Sequence, residues 1–87
     1  MVYQRKLSPT EAKRHFVYIT FDGRGYFPPA GQEFKVVIGK HIVEVKVDSK
    51  SRVWGAMFWD RLPHWNRGDT ITFTKNKDGS YTVMVEG

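Results

Sequence analysis

His64–Gly87, HWNRGDTITFTKNKDGSYTVMVEG, closes the chain with a Gly68-Asp69 step, an apolar strand, a turn and a second strand. "DTITFT" and "SYTVMVE" read as a hairpin across "NKDG", where Asp78-Gly79 supplies the positive-φ turn. Whether the chain holds this unit once or twice decides the fold. Sliding the sequence on itself gives the answer. "FDGRGYFPPA" (21–30) lies over "VDSKSRVWGA" (47–56), so Asp22 meets Asp48 and Arg24 meets Lys50. Residues 57–67 are then extra in the second copy, after which "GQEFKVV" (31–37) lies over "GDTITFT" (68–74) and pairs Gly31 with Gly68. "VEVKVD" (43–48) overlays "YTVMVE" (81–86) with its in-out parity kept, and a one-residue slip would turn the apolar side chains to the wrong face.

Each copy is a strand, a loop or short helix, a Gly-led strand, a turn and a strand. Two such halves, 15–48 and 43–87, predict an all-β domain over 15–87: a six-stranded barrel with an internal pseudo-twofold duplication and one short helix. Closing the ring removes the exposed strand edges that invite aggregation. "RHFVYITFD" predicts a strand buried on both faces, and "HIVEVKVD" a half-buried one with Val43, Val45 and Val47 inward. Gly39-Lys40 reads as a tight turn, and the Pro28-Pro29 pair keeps "GRGYFPPAG" a loop. The short helix is expected in "GAMFWDRLPHW", where Phe58, Leu62 and Trp65 follow helical spacing and Pro63 limits the length.

"VKVDSKSRVWGAMFWDRLPHWNRGDTITFTKNKDGSYTVMV", with its Gly68-Asp69 box, resembles the strand–helix–hairpin unit of AbrB-type transcription factors. Two units in one chain resemble the RIFT barrel of the cradle-loop group, found in riboflavin synthase and archaeal CTP-dependent riboflavin kinase. From about Arg14 onward the chain is similar to a small archaeal family of that barrel type. The resemblance implies a monomeric barrel in which Gly31, Gly68 and Asp69 are structural turn residues. Gln32 stands where Asp69 stands in the second copy. None of the kinase's ligand residues maps onto this chain.

Composition narrows the function. The 87 residues carry 14 Lys and Arg against 9 Asp and Glu, a net charge of +5, and no cysteine, which excludes disulfides and thiolate metal sites. His15, His41 and His64 show no ligand spacing, and no apolar run is long enough to span a membrane. Residues 1–14 hold Arg5, Lys6, Lys13 and Arg14 against Glu11 and read as a basic N-terminal arm, suited to a phosphate backbone or to solubility. The loop "SKSRVWGAMFWDRLPHWNRG" interleaves Arg52, Arg61 and Arg67 with Trp54, Trp59 and Trp65, a pairing that suits phosphate contact and base stacking or simply fills a barrel mouth. "GRG" (23–25) could approach a phosphate or make a tight turn. Ser8, Ser49, Ser51 and Ser80 lack a base at recognisable spacing, and Asp22 and Asp48 read as turn-capping carboxylates.

The expectation is therefore a small cytoplasmic protein that binds nucleic acid, DNA ahead of RNA, and is not an enzyme. The contacting residues would be Arg5, Lys6, Lys13, Arg14, Arg24, Lys50, Arg52, Trp54, Trp59, Arg61 and Arg67, with no cofactor, metal or membrane partner. Two alternatives stay open: a module for a nucleotide or flavin at the barrel mouth, and an adaptor with an exposed aromatic patch.

Overall fold

The computed structural model describes residues 2–54 and 65–86, apart from the side chains at 21, 22 and 24. The described residues form seven strands in chain order: β1 Val2–Lys6, β2 Phe16–Tyr18, β3 Phe34–Ile38, β4 His41–Val45, β5 Arg52–Trp54, β6 Thr70–Lys75 and β7 Tyr81–Glu86. Among the described residues the α-helix α1, Pro9–Arg14, joins β1 to β2, and a 3-10 segment, Phe21–Tyr26, follows β2. Both expected hairpins are present: β3 pairs antiparallel with β4 around Gly39 (φ 58°), and β6 with β7 around Gly79 (φ 91°). The helix expected in "GAMFWDRLPHW" lies almost wholly outside the described residues; Trp65, at its end, is buried in the core.

The strands form a five-stranded sheet in the order β1-β6-β7-β3-β4 and a two-stranded ribbon of β2 and β5. This is a small, mostly β fold, but the expected closed six-stranded ring is not found among the described residues. Nor is the pseudo-twofold. If the two hairpins were related by an axis, the parallel contact of β3 with β7 would be answered by one of β6 with β4. Instead β1 occupies the free edge of β6, in register from Val2↔Thr74 to Lys6↔Thr70, and β4 lies at the opposite margin. The segment expected to be a basic arm is thus a sheet strand followed by a capped helix. What repeats is local. Gly31 and Gly68 take φ of 89° and 88°, and their amides donate to the carbonyls of Val47 (2.9 Å) and Leu7 (2.8 Å). Side-chain parity is common to any two hairpins that face one core, so it carries no information on symmetry.

The inward faces enclose an aromatic core. Phe27, from the loop after the 3-10 segment, touches the rings of Tyr3, Tyr26, Phe34, Phe73 and Tyr81 with centroids 5.1–5.7 Å apart. Three phenolic hydroxyls tie irregular backbone to the strands. Tyr81 Oη donates to the Tyr26 carbonyl (2.6 Å), and Tyr26 Oη donates to the Phe73 carbonyl (3.2 Å). Tyr3 Oη donates to the Tyr18 carbonyl (2.9 Å) and accepts from the Thr20 amide (3.0 Å). Burial first, then the neighbouring Tyr26, pushes the Tyr81 phenol above its usual range, which keeps it a neutral donor.

The wall of the core is continuous on one side and stitched on the other. Beyond β4 the chain reaches Val47, which bridges Val53 of β5, so backbone pairing carries the wall onto the ribbon. Between β2 and β1, side chains make the connection. Tyr3 is one stitch. Glu11 of α1 is the other: its carboxylate accepts from the Tyr18 amide (2.9 Å), the Ser8 amide (3.0 Å) and the Arg5 guanidinium (Nη2 to Oε1, 3.1 Å). Ser8 in turn caps the Glu11 amide, and Pro9 opens the helix, where a missing N–H costs nothing. Glu11 is 1% exposed. Burial alone would raise its pKa, but the bonds from Arg5, Tyr18 and Ser8 outweigh it and hold the carboxyl below its ordinary 4.5.

A depressed carboxylate stabilises the folded state fully above its unfolded pKa and loses that contribution as pH falls through the folded value. Urea unfolding of the wild type should therefore show stability declining below about pH 4.5. Glu11→Gln should start about 2 kcal/mol less stable at neutral pH and show a weaker acid decline. A second test concerns Gly23, where a Cβ would stand 2.3 Å from Tyr3 Cε1, on a ring held by two hydrogen bonds. Gly23→Ala should cost about 1–3 kcal/mol. Gly25→Ala, with open space around the new carbon, should shift the unfolding midpoint little.

Candidate nucleic-acid interface

The β2–β5 ribbon pairs Phe16↔Trp54, Val17↔Val53 and Tyr18↔Arg52. Strand alternation sends Val17 and Val53 inward, where both are fully buried, and turns Phe16, Tyr18, Arg52 and Trp54 outward. "RHFVYITFD" is therefore buried on one face only over β2. Phe16 is still largely covered, because Trp54 packs across it with ring centroids 5.1 Å apart. The Arg52 guanidinium lies over both rings, 5.2 Å from Phe16 and 5.7 Å from Trp54, and Arg5 lies 5.6 Å from the Tyr18 ring. Each such cation–π contact contributes about 0.5–1 kcal/mol at a partly exposed site. Tyr18 and Trp54 each keep 39% of their surface in solvent.

Asp48 organises this face. Its Oδ1 accepts the amides of Lys50 (2.8 Å) and Arg52 (2.9 Å), and its Oδ2 accepts the Trp54 indole N–H (2.9 Å). The turn is tight enough to place Ser51 in the left-handed region, at φ 62°. Burial would raise the Asp48 pKa; the indole bond, the two amides and the Arg52 charge lower it on balance. Asp48 thus stays ionised while it fixes the indole.

A second cluster of cations surrounds α1. Lys6 ends β1, and Leu7 exchanges backbone bonds with Gly68 and Asp69 (both 2.8 Å), which brings the turn that carries Arg67 to the end of β1; Lys6 and Arg67 are both exposed. Asp69 is buried and accepts the Asn66 amide at 2.8 Å, so its carboxylate shapes this turn. Lys13 and Arg14, both exposed, occupy the last turn of α1. Trp65 lies beneath: its indole N–H donates to the Glu11 carbonyl (3.4 Å) and its ring faces His15 at 6.5 Å. His15 leads directly into Phe16, so this basic end adjoins the ribbon face.

The sequence-predicted residues thus fall into groups. Lys6, Lys13, Arg14 and Arg67 gather around α1, while Arg5, Arg52 and Trp54 meet on the ribbon side. Lys50 projects from the turn at the ribbon's far end. Arg24, Trp59 and Arg61 lie outside the described side chains. Gly31, Gly68 and Asp69 take the turn geometries given above. Tyr18 and Phe16 were not among the candidates; a two-residue alternation of Phe16 and Tyr18 against Val17 and Ile19 is the signal that distinguishes them.

An apolar concavity lies elsewhere among the described residues, between the Pro28–Ala30 loop and the turn after Val47. It has a volume of about 190 Å³ and is lined by Ile19, Phe27, Pro29, Val47, Asp48 and Ser51 among others. Among the described residues no group of three or more His, Cys, Asp or Glu could hold a metal ion, and no helix is long and apolar enough to cross a membrane.

No protein-family model matches the sequence, and no curated protein matches it. The fold does have solved counterparts. It is similar to the N-terminal domain of Helicobacter pylori LlaJI.R1, with a TM-score of 0.80, 14% identity, and coverage of 97% of this chain and 79% of that one. It is also similar to the hypothetical Arabidopsis thaliana protein At1g16640.1, with a TM-score of 0.63, 14% identity, and coverage of 100% and 90%. At such identity the likeness is one of fold.

The Asp48–Trp54 bond is open to direct measurement. The Trp54 indole N–H resonance should shift with pH as Asp48 protonates, with a midpoint below the ordinary aspartate value of 3.8. In Asp48→Asn that dependence should vanish; an indole signal in the wild type that ignores acid would contradict the tether.

Proposed function

We propose that this chain binds nucleic acid through the basic end at α1 and the adjoining face of the β2–β5 ribbon. One observation carries the reading. Glu11 and Asp69, among the described residues the acidic side chains closest to α1 in the backbone, are buried and hydrogen-bonded within the fold, while Lys6, Lys13, Arg14 and Arg67 are all exposed. The charged groups that meet solvent around α1 are accordingly cations. A polyanion is the partner that such a field attracts. Tyr18 and Trp54, with guanidiniums against aromatic rings, add contact suited to bases.

The small-ligand alternative has less support. The apolar cleft of about 190 Å³ lies below the roughly 300 Å³ at which typical ligand sites begin, and the wider concavity of about 460 Å³ is lined largely by polar groups, among them Gln32, Glu33, Lys35, Asp78 and Ser80. An adaptor would use the same exposed Tyr18 and Trp54 but gives the cation cluster no role.

The test is a salt series with DNA and RNA oligonucleotides in single-stranded and duplex form. Affinity should fall steeply with salt, and replacing Lys13 and Arg14 together by alanine should reduce the log–log slope by about two. No binding to any of them at low salt overturns the reading, as does an unchanged slope in the variant.

A further inference from the structure

Trp54 is held rather than free. Its only polar group is bonded to Asp48, Phe16 packs against its ring, and Arg52 lies over it, yet 39% of its surface meets solvent. Tyr18, diagonal to it across the ribbon and opposite Arg52, is equally exposed. A ring fixed in place by packing and a charged hydrogen bond surrenders little rotamer freedom when a flat partner settles on it. The outward side chains of the paired ribbon residues are Phe16, Tyr18, Arg52 and Trp54, with no amide side chain among them.

We propose that the outer face of the β2–β5 ribbon receives unpaired bases, with Trp54 as the stacking platform, so that the chain prefers single-stranded to duplex nucleic acid. The proposal rests on the nucleic-acid reading and specifies its substrate class. In a duplex the base faces are covered by their neighbours, and only donor and acceptor edges reach the grooves. Edges call for projecting forks and amides. Here the one guanidinium of the paired residues is drawn over Phe16 and Trp54, and the exposed area is aromatic. Nor does Trp54 suit the part of a wedge driven between base pairs, since more than half of it is covered and its indole is tied to the ribbon. An unpaired base offers a ring face to Trp54 or Tyr18, and its phosphate lies within reach of the arginines beside them.

The experiment compares fluorescence anisotropy titrations of one oligonucleotide sequence as single-stranded DNA, single-stranded RNA and duplex DNA at one salt concentration. The proteins are wild type, Trp54→Leu and Trp54→Phe, each checked for an intact unfolding transition. Wild type should bind a single strand about tenfold tighter than the duplex, the scale of one base stacked on an aromatic ring. Trp54→Leu should remove most of that preference, and Trp54→Phe should retain it. Should Trp54→Leu fail to fold, the wild-type preference and its retention in Trp54→Phe still decide the matter. Equal or tighter duplex binding by the wild type overturns this inference and leaves the nucleic-acid reading standing. Binding to none of the three overturns that reading and this inference with it.

Discussion

Between β1 and β2 two side chains connect strands that backbone pairing leaves apart. The Tyr3 hydroxyl serves the Tyr18 carbonyl and the Thr20 amide, and the Glu11 carboxylate serves the Tyr18 amide while holding Ser8 and Arg5. The closure of the core between β1 and the ribbon depends on this seam. A buried backbone amide without a partner costs about 1–3 kcal/mol, so the seam must satisfy Tyr18 and Thr20 for the core to close over Val17 and Ile19. As an anion Glu11 accepts from the Ser8 and Tyr18 amides through both of its oxygens, and Arg5 supplies the countercharge from β1. One carboxylate therefore sets the helix cap, the ion pair and the position of β2 together.

The same seam places the candidate site. By drawing Arg5 toward α1, Glu11 brings a guanidinium beside Tyr18, and by fixing β2 it decides which residues of the ribbon face outward. At the other end of the ribbon Asp48 acts in a similar way, tying the turn to Trp54. These carboxylates order cations and aromatic rings at the surface while they themselves accept hydrogen bonds from backbone and side chains. Acidic residues that build structure thus leave basic residues to meet solvent.

Much of the fold is legible in the sequence. The β3–β4 and β6–β7 hairpins follow from alternation and from the glycines at 39 and 79, and the inward Val45 and Val47 follow from parity. The sheet order is not legible, because hairpins report their own registry and nothing about which edge a distant strand will take. The first strand shows why: charge makes residues 1–14 look like an arm, while the alternation of Tyr3, Arg5 and Leu7 places them in the wall. Ser8-Pro9-Thr10-Glu11 does carry a helix signature, a serine cap answered by Glu11 with proline at the first position. What no local pattern carries is that Glu11 would also reach β2. The Gly31 and Gly68 turns repeat in geometry, yet β1 breaks the symmetry that their likeness suggests. The site divides the same way: Arg52 and Trp54 are visible as neighbours in sequence, whereas Tyr18 becomes part of the face only through the register of β2 with β5.

The fold shared with the Helicobacter pylori and Arabidopsis thaliana structures places these residues on a scaffold that tolerates nearly complete sequence change. The side-chain seam closes that scaffold in this chain, and amide hydrogen exchange measures it most directly. The Tyr18 and Thr20 amides donate to side-chain oxygens, at 2.9 and 3.0 Å. If the seam belongs to the cooperative core, both should exchange as slowly as the amides of Ile71 and Phe73 in β6. Exchange as fast as at the open margin of β4 would mean that the seam opens on its own and does not hold the fold together.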